Sequence, residues 1–327
     1  MKTILKTKDL HKVYRLGGFI NRVRINALDK VNLHVQSDEP VIISLVGESG
    51  SGKTTLAIVM LRLIAPNDGQ AMVYDQVVAG KGAKTDKKTF MSMVQPIFQN
   101  PFEAFSNYRT VDAYLLRTAM KVSGAKGAEA EDLVEDALVA VGMHYADVKG
   151  KYPNQFSGGE LQRISVARAL IPKPSIIIAD EPVSMIDASL RMNVINLFLK
   201  LKEETRTSFL YITHDLATAY YISDYIAVMY RGTIVEFGNA RAILSDPQHP
   251  YTQLLLGSVA TMGKKWEEAD IAMQDMEAVD FVAEGCRFRH RCPLAEQICA
   301  DVRPGATAMP DGREVYCHIV ERELEQA

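Results

Sequence analysis

At 327 residues, 47% apolar and 24% charged, the chain has the composition of a folded protein with a sizeable core and room for about two domains, which excludes global disorder and fibres. A formal net charge of −3 gives no basic footprint for nucleic acid, and Lys84, Lys87 and Lys88 read as part of a solvated loop. No apolar run approaches the roughly 20 residues of a membrane helix, and the charged start MKTILKTKDL lacks a signal peptide's apolar region. Any service to a membrane is therefore expected from its cytoplasmic face, docked on a partner.

The N-terminal stretch is predicted as antiparallel strands, with alternation at Val31, Leu33 and Val35, interrupted by a polar loop over Gly17–Asn26. Val41–Val46 is a short continuous apolar run, as in a strand buried on both faces. It leads into Gly47-Glu48-Ser49-Gly50-Ser51-Gly52-Lys53-Thr54 and then a helical stretch over Thr55–Leu63. This order of strand, loop and helix fits the phosphate-binding pattern G-x-x-x-x-G-K-[ST]. Glycines are needed because successive backbone N–H groups must turn inward around phosphates with no Cβ in the way. The helix N-terminus adds the positive end of its dipole. Lys53 is expected to reach the β- and γ-phosphates and the Thr54 hydroxyl to ligate Mg²⁺, with Thr55 closing the ATP-binding set.

Residues 100–155 are mostly helical in pattern, with a break at Ser123–Ala128. Ser157-Gly158-Gly159-Glu160-Leu161-Gln162-Arg163 then opens another helix, with Ser157 and Glu160 as a capping box before the stripe Leu161, Ile164, Ala167, Ile171. Capping explains the serine and the acid. It does not explain two glycines, each of which costs a helix about 1 kcal/mol; they suit a phosphate approaching the backbone closely. Ser175–Ala179 is a second buried strand, ending in Asp180-Glu181-Pro182. There Asp180 would hold Mg²⁺ through water and Glu181 would polarise an attacking water. Ser208–Ile212 is a third, and Tyr225–Tyr230, Arg231-Gly232 and Thr233–Glu236 read as strand, turn and strand. Buried strands alternating with helices imply a largely parallel α/β sheet. Beyond about Gly257 the chain turns acidic and Met-rich over Trp266–Glu284, a linker before a tail that holds all four cysteines. No internal repeat is visible.

With Ser-Gly-Gly-Glu-Leu-Gln-Arg set between a phosphate loop and a strand ending Asp-Glu-Pro, the chain resembles the ATPases of ABC transporters. The resemblance implies a P-loop NTPase cassette over residues 1–257, hydrolysing ATP with Mg²⁺. Its RecA-like α/β core would carry an N-terminal antiparallel β-subdomain and a helical subdomain at about 100–170. It makes Glu181 the catalytic carboxylate, Gln99 in IFQNP the Q-loop contact to Mg²⁺ and the attacking water, and His214 in YITHD the contact to the γ-phosphate. It makes Met185-Ile186-Asp187 the D-loop, with Asp187 its acid, and Tyr14 the ring stacked on adenine. Ser157, Gly158, Gly159 and Glu160 would face the nucleotide of a second cassette. Two departures stand out: Phe156 and Glu160 replace the commonest Leu and Gln of the signature, and Ile186 replaces the D-loop's usual Leu. A carboxylate at 160 would repel the partner's γ-phosphate unless it turns to its own N-cap amide.

The tail narrows the resemblance. Asp246-Pro247-Gln248-His249-Pro250-Tyr251-Thr252 is similar to the H-P-Y-T segment of oligopeptide, dipeptide and nickel importer ATPases, as are Gln95–Val111, the loop between Tyr14 and Ala27, and the segment from Gly285 to Cys299. The implied partners are a second and different ABC ATPase, two transmembrane permease subunits and, indirectly, an extracytoplasmic solute-binding protein. For residues 258–327 the resemblance implies a [4Fe–4S] cluster on Cys286, Cys292, Cys299 and Cys317, spaced C-x5-C-x6-C with the last further on. The residues themselves leave a Cys₄ zinc site or free thiols open, although the tight C-x₂₋₄-C pair usual for structural zinc is absent. Disulfides do not suit a cytosolic ATPase. His290 and His318 are near enough to substitute as ligands, but exposed side chains are the simpler reading. The alternative function is a soluble ABC ATPase acting on nucleic acid, the ribosome or iron–sulfur assembly. Such relatives usually carry coiled coils or two cassettes, and neither is seen here.

Overall fold

A four-stranded antiparallel sheet and an eight-stranded mixed sheet carry the chain, in a computed structural model that describes residues 1–16, 23–257 and 284–326. In chain order the strands are β1 Lys2–Leu16, β2 Val23–Ser37, β3 Ile42–Val46, β4 Asp68–Val73, β5 Gln76–Gly80 and β6 Val94–Ile97. They continue with β7 Ile176–Asp180, β8 Ser208–Thr213, β9 Tyr225–Tyr230, β10 Thr233–Asn239, β11 Thr307–Ala308 and β12 Glu314–Val315. The smaller sheet runs β2-β1-β4-β5 and the larger β11-β12-β10-β9-β3-β8-β7-β6.

The continuous apolar runs are explained by burial on both faces. Within β7, Ile177 and Ala179 join the core beneath the helical region, whereas Ile176 and Ile178 join the core toward β1 and β2. In β8, Phe209 and Tyr211 face the first and Leu210 and Ile212 the second. The two-residue period of a strand sends alternate side chains to opposite faces, and here both faces are apolar. Strands β9, β3, β8, β7 and β6 are mutually parallel, so their carboxyl ends lie along one rim of the sheet. Such a rim is where α/β sheets bind ligands.

The expected N-terminal loop is shorter than the sequence suggests. Residues 17–22 lie outside the described residues, but Arg24, Ile25 and Asn26 are strand, paired with Arg15, Tyr14 and Val13. Backbone pairing with β1 sets the strand there, while polar side chains on a partly exposed hairpin carry no apolar alternation. Residues 100–155 are helical as expected, including Val111–Thr118 and Ala128–Ala140. The expected linker from Trp266 lies outside the described residues except for Glu284. At the far end β12 pairs with β10, Glu236 opposite Val315, so the tail extends the large sheet. Among the described residues no helix is long and apolar enough to cross a membrane.

Candidate active site

The loop after β3 is shaped by its glycines. Gly47, Gly50 and Gly52 have φ of 151°, 76° and 107°, the left-handed side that other residues avoid. A Cβ at Gly47 would stand 2.2 Å from the Met229 carbonyl oxygen, and one at Gly52 2.5 Å from that of Ala27. The helix Lys53–Met60 starts directly behind, so its first N–H groups open toward the loop. Lys53 is buried, and its Nζ donates to the carbonyls of Gly47 (2.7 Å) and Glu48 (2.9 Å). Burial lowers its pKa, against the pull of Glu181, Asp180 and Glu48. A phosphate at the loop would hold the ammonium charged.

Three neighbouring strands deliver the acidic side of the site. Asp180 ends β7, with Oδ1 3.5 Å from the Thr54 hydroxyl, and burial raises its pKa. A hydroxyl and a carboxylate are hard oxygen donors of the kind Mg²⁺ takes alongside phosphates, so this pair fits the ion. The next residue, Glu181, has φ 45°, an uncommon backbone for a non-glycine residue that costs on the order of 1–3 kcal/mol. Its N–H is held by the Ile212 carbonyl at 2.9 Å and its own carbonyl by the Ser184 hydroxyl at 2.9 Å. The result is a carboxylate gripped on both oxygens. Gln99 Nε2 donates to Oε2 at 3.2 Å, and His214 Nδ1 lies 3.1 Å from Oε1.

Capping fixes where these two arms leave their strands. Gln99 follows β6 just before Asn100, which caps the Pro101–Ala104 helix through the Phe102 N–H. His214 follows β8 just before Asp215, which caps Leu216–Ile222 through the N–H groups of Ala217 and Thr218. Arg168, buried on the helix Gly158–Leu170, donates to Gln95 Oε1 at 3.1 Å and to the Pro96 carbonyl, tying that helix to the strand that leads to Gln99.

Ser157 caps the Gly158–Leu170 helix, and the Glu160 carboxylate turns back onto the Ser157 N–H (2.9 Å) and hydroxyl (2.7 Å). These bonds, the backbone one first, hold Glu160 below the usual carboxylate range. Gly158 and Gly159 differ from the loop glycines. Both are helical, and a Cβ would meet nothing nearer than 3.8 Å at Gly158 and 3.6 Å at Gly159. Intrachain packing thus gives no reason for glycine at either position. Beside them opens a groove of about 480 Å³ lined by Ser157, Gly159, Glu160, Arg163, Leu190 and Asn193. Asp187 is the N-cap residue of the helix Ala188–Thr205. Tyr14 lies in β1 opposite Ile25, with the Lys12 ammonium 5.7 Å over its ring. Among the described residues no hydrogen bond joins it to the glycine loop.

The cysteines gather in the tail. The Cys286 N–H donates to the Cys299 carbonyl at 2.8 Å, and burial pushes the Cys286 thiol up to about 11, with Cys299, Cys317 and Cys292 adding to the rise. Burial also raises Cys292 and Cys317. Among the described residues no group of three or more His, Cys, Asp or Glu is placed to share one metal ion. His318 is engaged elsewhere, with Nε2 2.9 Å from the Val302 carbonyl.

Two contacts to the glycine loop escape sequence reasoning. Tyr251 Oη accepts the Glu48 N–H at 2.9 Å, and Arg291 donates twice to the Glu48 carboxylate, at 2.7 and 2.9 Å. Nothing local signals either pairing, since the partners stand 203 and 243 residues from Glu48.

Comparisons with known proteins show the family. The family described as ABC transporter matches residues 28–184, and the family described as oligopeptide/dipeptide transporter, C-terminal region, matches residues 235–299. The chain is similar to the oligopeptide transport ATP-binding protein AppF of Bacillus subtilis, 35% identical over 97% of this chain and 98% of that one. It is 32% identical to the di/tripeptide transport ATP-binding protein DppF of Pseudomonas aeruginosa, over 99% of this chain and all of that one (100%). Among solved structures it is similar to the dimeric, post-hydrolysis form of the ATP-binding cassette MJ0796 bound to ADP and Pi. That match has a TM-score of 0.61 and 27% identity over 72% of this chain and 99% of that one.

Proposed function

This chain belongs to the ABC-transporter ATPases of the oligopeptide/dipeptide type, and from that membership we propose how its residues divide the work of ATP-driven peptide import. The observation that carries the assignment of roles is the grip of Gln99 and His214 on Glu181, beside the loop that holds Lys53 and Thr54. ATP would lay its phosphates over the amides of Gly47–Thr55, with Lys53 leaving the Gly47 and Glu48 carbonyls for the β- and γ-phosphates. Thr54, Asp180 and Gln99 would hold Mg²⁺, which neutralises phosphate charge when bound. Glu181 would orient the attacking water in line with the γ-phosphate, and His214 would turn from Glu181 to a γ-oxygen. Tyr14 would stack on adenine.

Gly158 and Gly159 gain a reason once a second cassette is present. Its γ-phosphate would meet the Ser157–Gly159 backbone, with Asp187 at the seam, while Glu160 stays on its own N-cap. The dimeric form of the similar cassette MJ0796 supports this pairing. We assign the second cassette to a different chain. Both would sit on the cytoplasmic face against two permease subunits, with a solute-binding protein outside. The names of the relatives favour peptides over nickel, and transport over a soluble role on nucleic acid, the ribosome or iron–sulfur assembly.

We keep residues 1–257 as the cassette and 258–327 as an extension whose β12 joins the cassette's sheet. Cys286, Cys292, Cys299 and Cys317 would hold a [4Fe–4S] cluster, supplying a covalent clamp on the tail. In support, the thiols lie within one another's electrostatic reach. Four thiols so grouped suit iron–sulfur ligation. Purification of the tagged chain from native membranes tests the assembly. It should bring down two polytopic membrane proteins and a second ABC ATPase; a ribosome or DNA complex instead would overturn the reading.

A further inference from the structure

We propose that Arg291 and Tyr251 are positioning residues for the phosphate loop, so that the C-terminal tail forms part of the scaffold of the ATP site. The proposal rests on the assignment of ATP to Gly47–Thr54. Its basis is Glu48, which is fixed from outside the loop at both its backbone and its side chain. The Glu48 N–H is held by Tyr251 Oη and its two carboxylate oxygens by the two terminal nitrogens of Arg291. The Glu48 carbonyl is also one of the two that receive Lys53 Nζ. Orientation of the first peptide units of the loop is thereby tied to residues far along the chain.

The brace is itself firmly seated. Tyr251 is fully buried, its ring centroid 4.6 Å from that of Tyr230 and 5.4 Å from that of Phe288. Its N–H donates to His249 Nδ1 at 3.0 Å, and the Gln248 and His249 N–H groups donate to the buried Glu236 carboxylate on β10, at 3.1 and 3.0 Å. An unbroken run of bonds thus leads from the sheet through the H-P-Y segment to the phosphate loop. The Arg291 guanidinium lies 5.9 Å from the ring centroids of both Tyr230 and Phe288, and its side chain is only 14% exposed. A two-bond arginine–carboxylate pair fixes the plane as well as the place of its partner. It also neutralises a negative charge that would otherwise face the incoming phosphates.

That charge gives the test a readout a merely structural role would not produce. The full-length chain is titrated with a fluorescent ATP analogue and Mg²⁺, with thermal melting alongside. Arg291→Met should weaken the analogue's Kd about tenfold, the scale of one partly screened charge beside an anion. Glu48→Gln combined with Arg291→Met should recover most of that loss, because the repelling carboxylate is gone. Tyr251→Phe should weaken binding less, as one hydrogen bond is lost and no charge is exposed. An unchanged Kd in Arg291→Met, or a double variant as weak as the single, overturns the proposal. So does a lowered fraction of binding-competent protein with an unaltered Kd, which would make the contact a folding support alone. Failure of the parent chain to bind the analogue would instead strike at the ATP assignment.

Discussion

Gly159→Ala separates two explanations of the signature glycines. Gly159 has helical φ/ψ, and the nearest atom to an added Cβ is Leu190 Cδ1 at 3.6 Å, an ordinary van der Waals distance. Alanine is the better helix former by up to about 1 kcal/mol, less at the first turn than in the interior. Folding should therefore be unharmed, with a Tm equal to the parent's or up to ~2 °C higher. Binding of a fluorescent ATP analogue to the isolated chain should also be unchanged, because its own loop at Gly47–Thr54 is untouched. In the assembled transporter the new methyl group would stand where the other cassette's γ-phosphate must approach the backbone. Steady-state phosphate release should fall at least ~10-fold, a barrier increase of about 1.4 kcal/mol. Parental ATPase activity in the assembled variant would refute the reasoning, as would a fall in Tm large enough to explain the loss.

Gly52→Ala should behave in the opposite way. At φ 107° with a Cβ 2.5 Å from the Ala27 carbonyl oxygen, it cannot be accommodated, so both Tm and analogue binding should fall; retention of either contradicts the loop geometry. Glu160→Gln should leave the assembled ATPase within about twofold, since the carboxylate is turned onto its own N-cap; a larger gain would show that its charge obstructs the partner site. Burial holds His249 at about 3 against an ordinary 6.5. Neutral His249 therefore contributes fully above pH 6.5, and that contribution is lost as pH falls toward 3. Unfolding free energy should drop by on the order of 1 kcal/mol per pH unit below about 6, and His249→Gln should flatten that slope in denaturant titrations at pH 7 and 5. Parallel slopes would contradict it.

The parts of the site that sequence made legible are those where chemistry dictates residue type locally. Glycines that must lie at positive φ, a lysine before a threonine, and acids at the end of a buried strand announce themselves at short spacing. Asn100 and Asp215, whose capping fixes where Gln99 and His214 leave their strands, are evident as caps only in the fold. What was not legible is what tertiary contact alone decides. Nothing local tells that Glu181 adopts φ 45°, because the restraint comes from the Ile212 carbonyl on the neighbouring strand. The H-P-Y-T segment could be matched to a subfamily but not explained. Its reason lies in Glu236, Tyr230 and Glu48, which the fold brings to it. Strands as short as Thr307–Ala308 and Glu314–Val315 carry no periodicity, so the sheet extension by the tail was invisible. The polar hairpin arm through Asn26 carries no strand pattern for a similar reason: pairing with β1, not side-chain alternation, makes it a strand.

The central claim is that Glu181, gripped by Gln99 and His214, is the carboxylate that drives ATP hydrolysis in this chain. Glu181→Gln keeps the shape and removes the charge, and the most direct measurement is phosphate release by the purified variant in its assembled transporter, with nucleotide occupancy followed in the same sample. The variant should retain bound ATP and show no steady-state phosphate release at this chain's site. Near-parental turnover with ATP bound would contradict the account.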